Sequence, residues 1–223
     1  MVLRGDIDLK NLSLHYSPLD AEARMKALFR DFADHAIMLT SSFGTNSAML
    51  LHLYAQAVSR PVVYFIDTGY HFASTLEYKE RLQTRLGLDV VDVKPDAAQH
   101  AYTTRDRTWL TDPDFCCSVN KVAPLTPIIA RHDIWISGVM RWQTPQRADM
   151  DIFERDDTIV KFSPLLDVTE AERDAYVVRH DLPPHPLLAA GYSSVGCEQC
   201  TQPGDGRAGR WPTKIKTECG LHR

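Results

Sequence analysis

Five cysteines are the residues of this 223-residue chain with the clearest capacity for chemistry. Four of them form two close pairs, Cys116-Cys117 and Cys197-x-x-Cys200, and the fifth, Cys219, lies four residues from the end of the sequence. Two pairs and one remaining cysteine are typical of a four-thiolate metal site accompanied by a free, reactive thiol.

The spacing of the paired cysteines favours a shared metal centre. The sulfurs of a C-x-x-C can converge on one centre, although thioredoxin-like redox pairs use the same spacing at a strand-to-helix junction. Adjacent residues in extended backbone point to opposite faces, so Cys116 and Cys117 can share a centre only in a special turn or at a helix start. Two buried structural cysteines remain the alternative for each pair taken alone. Zinc and iron–sulfur centres both accept four thiolates, and the adjacent pair favours a cluster because two neighbouring sulfurs can serve different irons.

Cys219 stands in a basic stretch with almost no apolar periodicity. Lys216 and His222 are close in sequence, and cationic surroundings favour the thiolate, which is the nucleophilic form of cysteine. Taken alone, an incidental surface cysteine is the simpler interpretation. We expect residues 204–223 to form a mobile tail on a domain made of residues 1–203. Such a tail would let a cysteine move between a substrate and a reducing partner.

Polar loops and arginines predict a site for phosphate or sulfate. Residues 41–47 join a predicted strand to a predicted helix, so their backbone N–H groups can cradle an anion. This loop lacks the Gly-Lys-Ser/Thr of a P-loop, and a plain polar turn is the alternative. Arginine forks match phosphate and sulfate oxygens, although any single arginine could be a solvated surface charge. The candidate arginines are Arg141, Arg147, Arg207 and Arg210.

The hydrophobic pattern predicts a scaffold that brings these residues together. Short apolar strands, at 36–39, 61–66, 88–93 and 134–136, alternate with amphipathic helices at 48–58, 72–86 and 121–132. This alternation predicts an α/β fold with a parallel twisted sheet and helices on both faces. Ligands bind such sheets in the loops at the strand ends, which makes 41–47, 67–71 and 137–147 the candidate ligand loops.

The regions outside this alternation are less regular. Residues 1–16 show no clear period and are expected to form a peripheral arm, and Ser17-Pro18 predicts the start of the first helix. A further strand is expected at 159–162, followed by a helix at 169–180 with Thr169 as its N-cap. The prolines of residues 183–186 exclude regular structure.

Composition excludes several classes of protein. The formal charge of −4 argues against a nucleic-acid binder, which is usually strongly basic. No apolar run approaches the ~20 residues needed to span a bilayer. The first six residues become charged too early for a secretory signal. We therefore expect a cytoplasmic protein, in which clustered cysteines more often bind metal or perform redox chemistry than form disulfides.

Several short motifs are shared with a known family. They are Ser42-Phe43-Gly44, Asp67-Thr68-Gly69, Cys116-Cys117 with Lys121 and Pro124-Leu125, Arg141-x-Gln143, Arg147-Ala148, Gly196-Cys197-x-x-Cys200-Thr201, Arg207-Ala208-Gly209-Arg210-Trp211, and Lys216-Thr217-Glu218-Cys219-Gly220-Leu221-His222. Over most of its length the chain resembles the assimilatory adenylyl-sulfate reductases, relatives of the phosphoadenylyl-sulfate reductases. The last three motifs and the cysteine pair are together highly specific.

The resemblance implies a fold like the adenine nucleotide alpha hydrolases and a [4Fe-4S] cluster on Cys116, Cys117, Cys197 and Cys200. It implies that Cys219 attacks adenylyl sulfate, which releases AMP, and that thioredoxin discharges the resulting S-sulfocysteine as sulfite. That reaction belongs to assimilatory sulfate reduction and cysteine biosynthesis. The substrate contacts implied are Ser42, Phe43, Gly44, Ser47, Asp67, Thr68, Gly69, Lys121, Arg141, Gln143, Arg147, Arg207 and Arg210. The sequence leaves the oligomeric state open, including a homo-oligomer.

Three alternatives and three departures accompany this interpretation. The 3′-phosphorylated sulfonucleotide is the other substrate, because some family members accept both. A nucleotide-adenylating enzyme with structural zinc needs an ATP loop richer in glycine and aspartate, and an iron–sulfur sensor needs a DNA-binding helix and a basic face.

Met140 replaces the first of two arginines usual in the family, and Asn120 stands where a basic residue is common. The segment between Cys200 and Arg207 is shorter than usual.

Overall fold

A computed structural model of the chain describes residues 7–157, 159–212 and 214–221. Its strands, in chain order, are Ile37–Ser41 (β1), Val62–Ile66 (β2), Asp89–Val93 (β3), Ile134–Ile136 (β4), Phe153–Asp156 (β5) and Ile159–Phe162 (β6). Within the described residues these six strands form one sheet in the order β3-β2-β1-β4-β6-β5. Every neighbouring pair is parallel except β5 and β6, which are antiparallel.

The predicted α/β fold is thus confirmed, with the correction that the sheet is mixed. Strand β5 was not predicted because Glu154 and Arg155 interrupt its apolar pattern. An edge strand forms ladder hydrogen bonds on one side only and needs less burial than a central strand, so periodicity detects it poorly.

Helices cover both faces of the sheet. They are Leu9–Tyr16 (α1), Ala21–Asp31 (α2), Ala48–Ala57 (α3), Ala73–Leu86 (α4), Ala97–Arg105 (α5), Thr108–Thr111 (α6), Pro113–Cys117 (α7), Ala123–Ile129 (α8) and Glu170–Arg179 (α9). On one face Met38 and Trp135 pack with Leu125 of α8. On the other face Leu39 packs in a larger core that includes Leu51 of α3. None of the described helices is long and apolar enough to cross a membrane.

The N-terminal region corrects two expectations. The predicted arm contains helix α1, whose last residue, Tyr16, is fully buried in the main core. Ser17 follows the end of this helix, and the next helix begins at Ala21 with Asp20 as its N-cap. Asp20 accepts a hydrogen bond from the Ala23 N–H at 2.8 Å, so aspartate supplies the helix start that the Ser-Pro pair suggested. Residues 1–6 of the predicted arm lie outside the described residues.

Local sequence signals predicted the start of one further helix correctly and the start of another incorrectly. The N-cap predicted at Thr169 is confirmed, and Glu172 completes a capping box with it. The helix predicted over 121–132 is wrong at its start. A π-helical turn, Ser118–Val122, continues directly from α7 and leads into α8. The short helices α6 and α7 were not predicted because four or five residues carry too little periodicity.

The strand order places a crevice at one edge of the sheet. The chain builds β2 and β3 on one side of β1, and later places β4 on the other side. The loops after β1 and β4 therefore diverge at the carboxyl ends of these neighbouring strands, which is where α/β sheets bind ligands.

The C-terminal region packs over this crevice. Trp211 is 4% exposed, and its backbone N–H donates to the carbonyl of Cys200 at 2.9 Å. A side chain at Gly209 would place its Cβ 2.1 Å from the carbonyl oxygen of Gln202, so only glycine permits this close turn. The described part of the predicted tail thus lies against the domain, and the movement expected of it stays a prediction.

Candidate functional site

A deep cleft opens where the loops after β1 and β4 diverge. All three loops proposed from the sequence contribute to it: 41–47, 67–71 and 137–147. Residues 194–197, the arginine turn at 207–211 and the tail residues Glu218, Cys219 and Leu221 close its other side. The fold therefore brings polar loops, arginines and the fifth cysteine into a single cavity.

The loop between β1 and α3 forms an anion cradle at this cleft. Phe43 adopts a left-handed backbone with φ of 47°, and its N–H donates to Ser41 Oγ at 3.0 Å. The Ser47 hydroxyl donates back to the Gly44 carbonyl at 2.6 Å and does not cap α3. The first N–H groups of α3 thus lack a side-chain cap, and these groups and the helix dipole favour an anion.

Unsatisfied polar atoms are concentrated in the same cleft. Among the described residues, the buried side-chain atoms without a hydrogen-bond partner are His71 Nδ1, Ser137 Oγ, Arg207 Nε, Arg210 Nε and Trp211 Nε1. All five of these residues line the cleft. An unpaired buried polar group costs about 1–3 kcal/mol, and native proteins retain few. Their accumulation in one place indicates that a polar ligand completes the hydrogen bonds.

Three cations give this end of the cleft a positive potential. Burial, with the charges of Arg210 and Arg147, lowers the pKa of Arg207 to about 10, although Glu218 opposes the shift. Burial also acts to lower the pKa of Lys121, but the surrounding cysteines Cys197, Cys219 and Cys117 outweigh it and raise that pKa. Lys121 has no carboxylate within ion-pair distance among the described residues. Crowded, buried cations of this kind are stabilised by an anionic ligand.

Cys219 lies in this positive region. Burial acts to raise the pKa of its thiol, but Lys121, a hydrogen bond from the Leu221 N–H and Arg210 outweigh it, so the pKa is lowered. The thiolate is therefore favoured beside the anion cradle. His222, which the sequence also placed near this thiol, lies outside the described residues.

Glu218 fixes the backbone next to Cys219. Its carboxylate accepts two hydrogen bonds from Arg147, from Nε at 2.8 Å and from Nη2 at 2.9 Å. Arg207 Nη2 lies 3.4 Å from the same carboxylate, and Thr144 Oγ1 donates to it at 3.3 Å. Arg147 thus reaches the cleft already paired with an acid of the chain itself.

The other four cysteines surround a second, enclosed cavity that shares a wall with the cleft. Cys116, Cys117, Cys197 and Cys200 line it, together with the aromatic residues Tyr70, Trp109 and Trp211. Cys116 and Cys117 end helix α7, and the π-helical turn follows immediately. This irregular turn is of the special kind that adjacent cysteines need to face one cavity. Among the described residues, no three His, Cys, Asp or Glu side chains converge on a single-ion site.

Three of the thiols of this cavity are buried, and two have polar contacts at their sulfurs. Burial raises the pKa of Cys116 and Cys117, and it raises the pKa of Cys200 to about 11. Thr68 Oγ1 lies 3.3 Å from Cys197 Sγ, and Asn120 Nδ2 lies 3.6 Å from Cys116 Sγ. Thiols in such a setting resist ionisation alone and require compensating positive charge, which a bound metal centre would supply.

Asn120 and Met140, two of the three departures from the family pattern, are both buried. The Asn120 amide donates to the Cys116 carbonyl at 2.9 Å and to Thr103 Oγ1 at 3.1 Å, and its oxygen pairs with His100 Nδ1 at 2.8 Å. Both the donor and the acceptor of this neutral side chain therefore have partners. Met140 is fully buried in the main core and contributes no charge to the cleft.

Several candidate residues lie outside the cleft. Arg141 donates to the Met150 carbonyl at 3.0 Å, and Phe43 is buried beneath the cradle against Phe65. The Asp67 carboxylate lies 3.6 Å from Lys94 Nζ and accepts a hydrogen bond from the Gly69 N–H. The cleft does contain Ser42, Gly44, Ser47, Thr68, Lys121, Gln143, Arg147, Arg207 and Arg210.

The sequence did not single out His71, Ser137 or Glu218. His71 and Ser137 lie in loops that were predicted to bind a ligand because they follow strands. That rule identifies the loop but does not indicate which of its side chains faces the ligand. His71 Nε2 lies 3.0 Å from the Ile66 carbonyl, which requires a proton there and leaves Nδ1 as an acceptor in the cleft. Glu218 directly precedes Cys219, but its partner Arg147 is 71 residues away, so no local signal reveals the pair.

Two solved structures share this architecture. The phosphoadenylyl-sulfate (PAPS) reductase of Candida auris, in its phosphate complex, matches with a TM-score of 0.72 at 19% identity, covering 89% of this chain and 98% of that one. An FMN adenylyltransferase of Candida glabrata, in complex with FAD and pyrophosphate, matches with a TM-score of 0.59 at 16% identity, covering 83% and 64%. These likenesses confirm the predicted adenine nucleotide alpha hydrolase-like fold.

Sequence relatives carry the comparison further. An adenosine 5′-phosphosulfate reductase from Chelativorans sp. (strain BNC1) is 38% identical over 99% of this chain and 93% of its own length. A phosphoadenosine 5′-phosphosulfate reductase from Gloeobacter violaceus is also 38% identical, over 96% and 93%. The phosphoadenosine phosphosulfate reductase domain matches residues 36–203. The chain therefore belongs to the phosphoadenosine phosphosulfate reductase family, which confirms the resemblance seen in its motifs.

Proposed function

We propose that this enzyme reduces adenylyl sulfate to sulfite and AMP, with Cys219 as the nucleophile and thioredoxin as the electron donor. The observation that carries this proposal is the position of Cys219. It lies beside Lys121 and Arg210, in a cleft where five buried polar groups lack partners. A thiol with a lowered pKa next to an anion cradle is suited to attack an anionic sulfur group.

The proposed reaction has two stages. The Cys219 thiolate attacks the sulfur of the sulfate group, a new S–S bond forms, and the bond from that sulfur to the bridging oxygen breaks. AMP leaves with the electron pair, and Cys219 carries an S-sulfonate. A thioredoxin thiolate then attacks the Cys219 sulfur and sulfite leaves with the bonding electrons. The second thioredoxin thiol releases Cys219, so thioredoxin ends as a disulfide.

The charge distribution of the cleft supports the first stage. A thiolate and a sulfonucleotide are both anions, so their approach requires neutralisation. Lys121, Arg207 and Arg210 supply positive charge, and the uncapped start of α3 supplies oriented N–H groups. We assign Ser42, Gly44, Ser47, Thr68 and Gln143 to the walls around the nucleotide, because their side chains or backbone line the cleft.

We further propose a [4Fe-4S] cluster on Cys116, Cys117, Cys197 and Cys200. The donor set fits this group, because four thiols, three of them buried, surround one enclosed cavity and two of them have polar contacts at their sulfurs. When bound, the cluster supplies charge and rigidity beside Lys121 and need not carry electrons. The residues of this chain perform the covalent step.

Adenylyl sulfate is the preferred substrate in this proposal, and its 3′-phosphorylated form is the alternative. The two relatives compared above are named for different substrates at the same identity, so the names do not decide between them. The cysteine quartet resembles the adenylyl-sulfate branch of the family. We also propose that the enzyme acts in the cytoplasm, where thiols are kept reduced.

The cluster assignment is tested by Cys197→Ser. Anaerobically purified protein should be brown and contain iron and sulfide, and Cys197→Ser should lose the colour and unfold at a lower temperature, because one ligand of the quartet is gone. Cys219→Ser is the matched control and should keep both. Stoichiometric zinc without sulfide in fully active protein would contradict the assignment.

Substrate preference is tested by steady-state kinetics with both sulfonucleotides. If the cleft is built for adenylyl sulfate, the added 3′-phosphate should give no gain in kcat/KM, because no dedicated partner compensates its desolvation. A much larger kcat/KM for the 3′-phosphorylated form would reverse the preference.

The covalent role of Cys219 is tested by mass spectrometry. Wild-type enzyme given adenylyl sulfate without thioredoxin should gain one sulfonate on the peptide containing Cys219 and release AMP. Cys219→Ser should keep binding nucleotide but lose sulfite formation almost completely, because a hydroxyl is a far poorer nucleophile near neutral pH.

The lowered pKa of Cys219 adds a pH dependence to the same experiment. Adduct formation should remain fast as the pH falls below about 8.5, the ordinary pKa of a cysteine thiol, and decline only below the lowered pKa. An adduct on another residue, or undiminished turnover of the serine variant, would exclude this nucleophile.

The role of Arg210 is tested through Gly196. An added Cβ at Gly196 would lie 2.2 Å from Arg210 Nη2, so Gly196→Ala should displace the guanidinium. In the Cys219→Ser background, where substrate does not turn over, affinity for adenylyl sulfate should fall roughly 10- to 100-fold, as for a lost charge-assisted hydrogen bond of about 1.5–3 kcal/mol. Arg210→Ala should give the same loss, and combining the two should add nothing. Unchanged affinity in both variants would place the substrate anion elsewhere.

A further inference from the structure

The residues on both sides of Cys219 are held in place by contacts with other parts of the chain, and each set of contacts is called an anchor. On its N-terminal side, Glu218 forms a bidentate ion pair with Arg147, with side chains only 10% and 7% exposed. On its C-terminal side, the Leu221 carbonyl accepts from Lys161 Nζ at 2.9 Å. The Leu221 side chain packs against the apolar cluster around Trp135. The reactive residue is therefore held from both directions.

The charge of Glu218 does not explain its position. The charge of Glu218 acts to raise the pKa of the Cys219 thiol and thus opposes the thiolate. A carboxylate directly beside a nucleophilic thiol, in a cleft meant for an anion, is unfavourable on electrostatic grounds. What it contributes is geometry, because a buried bidentate arginine pair fixes both partners more tightly than a single contact.

Arg147 is the appropriate partner for such an anchor. It stands on the 3₁₀ turn Pro145–Arg147 after β4, on the rigid side of the cleft, and its Nη1 also pairs with Gln143. Arg207 and Arg210 each keep a buried Nε without a partner, whereas the Nε of Arg147 is occupied by Glu218. Arg207 also donates to the tail backbone through its Nη2 at 2.8 Å, but its Nε and that of Arg210 stay available to a ligand, whereas Arg147 is paired with Glu218 through both Nε and Nη2.

We infer that Glu218 is a positioning residue, which holds Cys219 at the reacting end of the cleft through its ion pair with Arg147. This inference rests on the proposed role of Cys219 as the nucleophile. It changes the role of Arg147 from a substrate contact to the receptor for the tail. Glu218 contacts no substrate in this assignment and acts through the placement of the adjacent thiol.

The test is single-turnover formation of the Cys219 S-sulfonate without thioredoxin, measured with equilibrium affinity for AMP. Glu218→Gln keeps the shape of the side chain but removes its charge. We expect adduct formation to slow on the order of 10- to 100-fold, the effect of misplacing a reacting group by about 1 Å. AMP affinity should stay within about twofold, because Arg207 and Arg210 still offer the buried Nε groups that lack partners. Asp205→Asn, at an exposed acid of the same C-terminal region, is the matched control and should behave as wild type.

A double-mutant cycle separates this role from substrate binding. Arg147→Ala should slow the adduct as much as Glu218→Gln, and the double variant should be no slower than either, because both remove the same ion pair. A loss of AMP affinity on adding Arg147→Ala to Glu218→Gln would make Arg147 a substrate contact and overturn the inference.

Leu221→Ala tests the second anchor and guards against a folding defect in the other variants. It should also slow the adduct while AMP affinity is kept. Wild-type adduct rates in both Glu218→Gln and Leu221→Ala would overturn the inference while leaving Cys219 as the nucleophile. Absence of any adduct in wild-type enzyme would instead overturn the proposed function.

Discussion

The organising constraint of this structure is the confinement of several cations at one edge of the sheet. Lys121, Arg207, Arg210 and Arg147 come from three separate segments, and the fold holds them in and around one cleft. Buried like charges repel each other, and burial disfavours each of them. The lowered pKa of Arg207 records that cost. Glu218 and Cys219 offset part of that cost, and an anion bound in the cleft would offset more of it.

This constraint connects the two cavities. Lys121, Cys197 and Trp211 line both the cleft and the space enclosed by the four thiols, so one wall serves both. The backbone N–H of Trp211 donates to the Cys200 carbonyl. The centroid of its ring lies 4.6 Å from the central carbon of the Arg210 guanidinium. Direct contacts therefore connect the cavity of the four cysteines with the arginine turn. The proposed cluster would act on the reaction through this shared wall.

The same constraint gives the C-terminal segment a place to bind. Arg147 and Arg207 attract Glu218. Lys216 pairs with Asp114 of helix α7, which carries Cys116 and Cys117. The anchors of this segment are ion pairs together with the packing of Leu221 in the smaller apolar cluster around Trp135, outside the main core. Anchors outside the main core suit a residue that is proposed to face first the nucleotide and then thioredoxin.

The sequence by itself determined the fold class, the two cysteine pairs, the separate fifth cysteine and the loops that line the cleft. These depend on local signals: the alternation of apolar strands with amphipathic helices, the helix cap at Thr169 and the spacing of the cysteines. Tertiary structure alone decided which polar side chains reach the cleft. Arg141 and Arg147 are both loop arginines after the same strand, yet one bonds to the Met150 carbonyl and the other to Glu218. The edge strand β5, the burial of Tyr16 at the end of helix α1 and the unpartnered polar atoms of His71 and Ser137 were likewise decided by long-range packing. Periodicity and spacing report on neighbours along the chain, whereas burial and pairing depend on partners that are tens of residues away and meet only when the chain folds.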